Sequence, residues 1–168
     1  LSIARLSVQK GLDLALPAVA SLREKGLEFR WYIIGVGPEE AALQEQARSL
    51  GIEQDVCFLG EQANPYPFLR ACDVYLQPSR FEGKSIAVDE AMVLCKPILL
   101  TDFSTAADQV TSGENGLIVP MTPEGIAEGL EKLLTDGELR QRFHDALEAE
   151  DYTNENEIEK VYSLIGSE

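Results

Sequence analysis

The sequence predicts a doubly wound α/β domain built on a parallel, Rossmann-like sheet, and three observations carry that prediction. Short apolar runs rich in β-formers alternate along the chain with stretches of helical periodicity. That alternation is the pattern of βα units. The runs are continuous, without the polar alternation of a half-exposed strand, as expected when helices cover both faces of a sheet. Neither an internal repeat nor a long linker divides the 168 residues, so one domain is expected over 1–168.

Taken in order, Leu1–Ala4 reads as the remnant of a first strand, and the reading therefore expects further residues upstream. A helix follows over Leu12–Lys25, stopped by Gly26, then a strand over Trp31–Ile34. Pro38 opens a helix over Glu39–Leu50, which Gly51 ends. Val56–Leu59 is a strand, Pro67–Ala71 a short helix and Val74–Gln77 a strand. Ser85–Leu94 is almost wholly apolar and is expected to be a buried helix. Strands at Pro97–Leu100 and Leu117–Val119 precede a helix over Gly125–Leu134. In the tail, Ile158, Val161, Tyr162 and Ile165 recur at helical spacing, which predicts a carboxyl-terminal amphipathic helix over 154–168.

Fourteen basic residues against 29 acidic ones leave a net charge of −15. Such a surface repels nucleic acid phosphates and anionic lipid headgroups, so neither is an expected partner. No apolar run approaches the roughly 20 residues of a membrane span, so direct membrane insertion is not expected. Cys57, Cys72 and Cys95 lie among apolar residues and are odd in number, which points to reduced thiols in a cytoplasmic protein. The acidic run toward the end reads as a solvated helical face, and His144 as a surface residue on a late helix. There is no Asp-any-Asp pair, and no metal site is expected.

In a sheet of this kind ligands bind beyond the carboxyl ends of the strands, so the residues after each strand are the candidates. Arg5 and Lys10 flank the first turn and could neutralise a diphosphate; two ordinary surface cations are the alternative. Gly35 and Gly37 allow a tight turn, but the third glycine of a dinucleotide fingerprint is missing and two acids follow. Gln62 and Asn64 lie in a polar, aromatic loop that could line a base pocket or form a plain turn. Gly83, Lys84, Ser85 and Ile86 begin the apolar helix, whose free amides and dipole suit an anion. Glu90 lies in its second turn and needs a partner; a ribose diol or the surrounding chain could supply one. Glu82 and Glu90 are eight apart, a spacing that Glu45/Glu53 and Glu53/Glu61 share; only Glu82/Glu90 combines a strand, a glycine and an apolar helix.

These pieces, in register over nearly the whole chain, resemble the carboxyl-terminal domain of family 4 (group 1) glycosyltransferases of the GT-B fold. The matching runs include Arg5-Leu6 with Lys10-Gly11, Gly35-Val36-Gly37-Pro38, Pro78-Ser79-Arg80-Phe81-Glu82-Gly83, Asp89-Glu90-Ala91-Met92 and Gly113-Glu114-Asn115-Gly116. The resemblance implies a nucleotide-sugar donor, UDP-linked sugars among the candidates, with retention of configuration and no metal. It implies that Arg5 and Lys10 meet the diphosphate and that Glu90 binds the ribose. It places Glu82 against the sugar and the amides around Lys84, Ser85 and Ile86 on the phosphate. It further implies an amino-terminal acceptor domain absent from this chain, a role in polysaccharide or glycolipid synthesis, and a full-length protein peripheral at the inner membrane face. A non-catalytic nucleotide-sugar-binding module is the alternative. Departures from the pattern are Ala4 and Cys95 where glycine is frequent, and Ser104-Thr105 in a loop that is commonly Gly-Gly.

Overall fold

A computed structural model describes residues 1–150 of the chain; the predicted helix over 154–168 lies outside the described residues. The strands are β1 (Ser2–Ile3), β2 (Trp31–Ile34), β3 (Val56–Phe58), β4 (Tyr75–Gln77), β5 (Ile98–Thr101) and β6 (Gly116–Val119). The helices are α1 (Leu12–Glu24), α2 (Glu40–Ser49), α3 (Tyr66–Ala71), α4 (Ile86–Val93), α5 (Pro123–Thr135) and α6 (Gly137–Ala149). Short 3-10 turns at Val8–Lys10 and Ala106–Asp108 follow β1 and β5. None of these helices is long and apolar enough to cross a membrane.

All strand pairs are parallel, in two ladders ordered β1-β2-β3 and β4-β5-β6. Leu1 joins the ladders: its backbone N–H donates to Val74 O at 2.9 Å, and Leu76 N–H donates back to Leu1 O at 2.8 Å. The sheet therefore runs 3-2-1-4-5-6, an order that belongs to the doubly wound class the sequence predicts. Its direction reverses between β1 and β4, and a crevice opens there at the carboxyl ends. One face carries α1, α2 and α5 over Leu16, Ile33, Leu99 and Ile126. The other carries α3 and α4 over Tyr75, Ile98, Leu100 and Val88. Full burial of each such side chain contributes about 1.5–3 kcal/mol, which is why continuous apolar strands need both layers.

The helix boundaries follow local chemistry. After α1, Gly26 has φ 84° and donates to Arg23 O while Leu27 N donates to Leu22 O; Gly51 and Ile52 repeat the arrangement after α2. These are left-handed caps that favour glycine. Pro17 sits inside α1 and cannot donate to Asp13 O; Gln46 of α2 supplies the missing donor at 3.0 Å. Helix α6 is the element the sequence pattern underplays, because only Phe143 and Leu147 of its thirteen residues are buried. Asp136 starts it by accepting from Leu139 N at 2.8 Å.

Candidate functional site

Two loops meet at the switch point, one from β1 to α1 and one from β4 to α4. Arg80 is their main tie. Its guanidinium grips both carboxylate oxygens of Asp13 at 2.7 Å and reaches Val8 O at 2.7 Å, while its own N–H donates to Gln9 O at 2.8 Å. Gln9 Nε2 returns a bond to Phe81 O at 3.1 Å. This fork holds the Asp13 carboxyl below its ordinary range and raises Arg80 further. Gly11, at φ 62°, completes the approach: a Cβ there would lie 1.9 Å from Pro78 O.

Glu82 stands at the centre of this junction, its side chain only 7% exposed. One carboxylate oxygen, Oε1, accepts from Lys10 Nζ at 2.6 Å, Ser79 Oγ at 2.6 Å and Gln77 Nε2 at 3.2 Å. Lys10, expected on a diphosphate, here pairs with Glu82, so these two candidates are direct neighbours. Arg5 is exposed and makes no side-chain hydrogen bond or ion pair among the described residues.

Helix α4 begins four residues beyond Glu82, with Ser85 as its N-cap. Ser85 makes no side-chain capping bond, so the first-turn amides that follow it have no partner among the described residues. The Ser85 amide itself is engaged, donating to Gln109 Oε1 at 2.9 Å, and Gln109 Nε2 bonds Ser85 O and Asp89 Oδ1. Lys84 is exposed and pairs with Asp89 at 3.2 Å. Gly83 is exposed, with nothing within 4 Å of where its Cβ would be. Thr105, in the loop after β5, donates to the carbonyls of Glu82 and Gly83 at 3.0 and 2.9 Å. The threonine that departs from the family pattern thus braces the loop carrying Glu82.

The expectation that α4 is a buried helix needs correction. Val88, Ala91 and Met92 face the core, but Ile86 is 74% and Val93 57% exposed. The eight-residue helix packs one side on the sheet, and among the described residues its Ile86 and Val93 side stays uncovered. Glu90 is accordingly half-buried and accepts from the Tyr66 hydroxyl at 2.8 Å. The carboxylate pushes the Tyr66 phenol up from its ordinary pKa. Tyr66, Ile86, Glu90 and Val93 line a shallow pocket of about 260 Å³.

The remaining candidates serve the chain first. A Cβ on Gly35 would lie 2.0 Å from Ala4 O and one on Gly37 2.2 Å from Leu6 O, so packing against the β1 loop already demands glycine at both. Gln62 bonds Leu59 O at 2.7 Å, and Asn64 accepts from Tyr66 N at 3.1 Å at the start of α3. The turn that Asn64 and Tyr66 build is one of the two arrangements open at the sequence level. A larger cavity, about 640 Å³ and lined partly by Leu1, Trp31, Phe68 and Val74, opens at the amino ends of the strands. Helix carboxyl ends face it, the wrong polarity for an anion, so the switch-point crevice is the better site. His144, Asp145 and Glu148 cluster on α6; the two acids are exposed, whereas His144, expected on the surface, is partly buried with its Nδ1 3.5 Å from Asp145 Oδ1. The cysteines are free thiols, and burial raises Cys72.

Sequence reasoning missed Gln77, Arg80 and Gln109 as site-building residues. Gln77 alone carried a signal, a polar residue ending an apolar strand. Arg80 and Gln109 reach partners 67 and 24 positions away, which no local pattern shows.

A parallel sheet in the order 3-2-1-4-5-6, with its polar cluster at the switch point, defines a Rossmann-like domain of the GT-B class. The chain belongs to the group 1 glycosyltransferases: the model of the family described as "Glycosyl transferases group 1" matches residues 1–149. It is 32% identical over 144 residues to the lipopolysaccharide core biosynthesis glycosyltransferase LpsE of Rhizobium meliloti, covering 85% of this chain and 41% of LpsE. It is 28% identical over 147 residues to the alpha-D-kanosaminyltransferase of Streptomyces kanamyceticus, covering 85% of this chain and 38% of that protein. A crystal structure of Anabaena HepE in complex with UDP superposes with a TM-score of 0.80 at 24% identity, over 88% of this chain and 42% of HepE, a likeness of fold. The chain spans less than half the length of these curated relatives.

Proposed function

We propose that this chain is the donor-binding half of a retaining, metal-independent glycosyltransferase that takes its sugar from a nucleoside diphosphate. The observation that carries the reading is the convergence, at one crevice, of buried Glu82, the Lys10 cation touching it and the open first turn of α4. Breaking a sugar–phosphate bond leaves negative charge on the departing diphosphate and cationic character on the sugar ring. Arg5, Lys10 and the α4 amides supply the positive field for the first. Glu82 positions the sugar hydroxyls and favours the cationic ring. Interactions stronger with the departing group than with the bound donor are the ones that accelerate transfer. Glu90 takes the ribose diol, whose hydroxyls replace the Tyr66 hydroxyl as donors.

The name of the LpsE relative, a lipopolysaccharide core biosynthesis glycosyltransferase, supports a role in surface polysaccharide or glycolipid synthesis. The complex of HepE makes UDP the first nucleotide to test. Calorimetric titration with UDP, GDP and ADP, with and without EDTA, tests the proposal. One nucleotide is expected to bind equally in both conditions. Loss of binding on chelation would refute the metal-free reading, and no binding of any of the three would refute the donor-domain reading.

A further inference from the structure

Gln77 ends β4 with a side chain only 3% exposed, in a strand that is otherwise apolar. Its amide spans the turn that carries the candidate residues. Nε2 donates to Glu82 Oε1 at 3.2 Å; Oε1 accepts from Ser85 Oγ at 3.0 Å and from the Tyr75 hydroxyl at 3.2 Å. Chemistry fixes this orientation, because a carboxylate can only accept, whereas both hydroxyls can donate. Flipping the amide would set its oxygen against the Glu82 carboxylate. Burying an amide costs free energy unless it is hydrogen-bonded, and this one is bonded at both ends. Lys10, Ser79 and Gln77 all converge on the same Glu82 oxygen, and Oε2 has no hydrogen-bond partner among the described residues.

We propose that Gln77 is a positioning residue for Glu82: its buried amide pins one carboxylate oxygen, ties it to Ser85 at the start of α4, and leaves the other oxygen for a hydroxyl of the donor sugar. The inference rests on the reading of Glu82 as the sugar-facing carboxylate. Gln77 and Ser79 are the buried part of the clamp, and Lys10 is its partly exposed part.

The test compares Gln77→Met and Gln77→Leu with the parent chain. Both remove the amide and add no charge; methionine keeps the length of the side chain and leucine shortens it. Agreement between the two guards against a packing defect peculiar to either. Affinities are measured calorimetrically for the nucleoside diphosphate that binds (UDP, GDP or ADP) and for its hexose conjugate (UDP-glucose, GDP-mannose or ADP-glucose). Both variants are expected to hold the nucleoside diphosphate within about twofold and to weaken the conjugate about three- to tenfold, the scale of one hydrogen bond. A merely structural role would weaken both ligands together or neither, and either result overturns the inference. Glu82→Gln separates the two levels. If it weakens the conjugate selectively while neither Gln77 variant does, the role of Gln77 alone fails. If it leaves the conjugate unchanged, the reading of Glu82 fails and the inference falls with it.

Discussion

Cys95 adopts φ 52°, the one left-handed conformation outside glycine among the described residues. It terminates α4 with the same bonds as Gly26 and Gly51: Cys95 N to Met92 O, and Lys96 N to Ala91 O. A side chain in this conformation costs roughly 1–2 kcal/mol. Cys95→Gly is therefore expected to melt about 2–8 °C above Cys95→Ala, which keeps the Cβ and loses the thiol. A glycine variant melting at or below the alanine variant would show that no strain resides there. The two glutamates offer a second contrast at this scale. Glu90→Gln is expected to weaken nucleoside diphosphate binding tenfold or more, given about 1.5–3 kcal/mol for a hydrogen bond to a charged group. Glu82→Gln is expected to leave that binding almost unchanged. Calorimetry on variants with parental melting temperatures measures both, and equal losses would refute the division of labour.

At the scale of elements, the crevice depends on loops that share no regular structure. The β1–α1 and β4–α4 loops are held by the Arg80–Asp13 fork, the Gln9 bond and the Lys10–Glu82 pair. Asp13 is partly exposed, so solvent screening limits the fork to about 0.5–1 kcal/mol. The folded chain depresses the Asp13 carboxyl below its ordinary 3.8. Its contribution is therefore complete above the unfolded value and is lost as the pH falls through the lower folded one. Asp13→Asn is expected to melt a few degrees below the parent at pH 7, with the gap closing below about pH 4. Melting curves of both proteins from pH 7 to 3 measure it; a gap independent of pH would assign the loss to packing instead of charge. The same fork ties together the two loops that carry Lys10 and Glu82.

For the whole molecule, the winding of one continuous sheet brings the amino end of the chain against its middle through Leu1, Ser2 and Leu76. That closure creates the switch point. Apolar Val8, Val36 and Phe81 stand exposed on the loops around it. On the proposed reading the acceptor surface belongs to another half of the protein, because the chain spans less than half of its curated relatives. The 168-residue chain alone is then expected to release no nucleoside diphosphate from nucleotide sugars above the uncatalysed rate, with mixed glycan acceptors present. A coupled assay for UDP, GDP or ADP release measures this, and sustained turnover would refute the two-half reading.

The sequence by itself determined the order of strands and helices as far as α5, the parallel two-faced sheet and the loops that bear the candidate residues. These follow from local periodicity, from glycine stops such as Gly26 and Gly51, and from apolar runs that need cover on both sides. The sequence also put Glu82 in the loop before the apolar helix and Glu90 within that helix, where the structure has both. Only the tertiary structure decided which groups touch. It paired Lys10 with Glu82 across 72 positions, gave the Ser85 amide to Gln109, left half of α4 open beside Tyr66, and put Gln77 behind Glu82. Contacts of that kind arise where distant loops converge at a sheet's reversal, and hydrophobic periodicity says nothing of which polar atoms come within 3 Å of one another there.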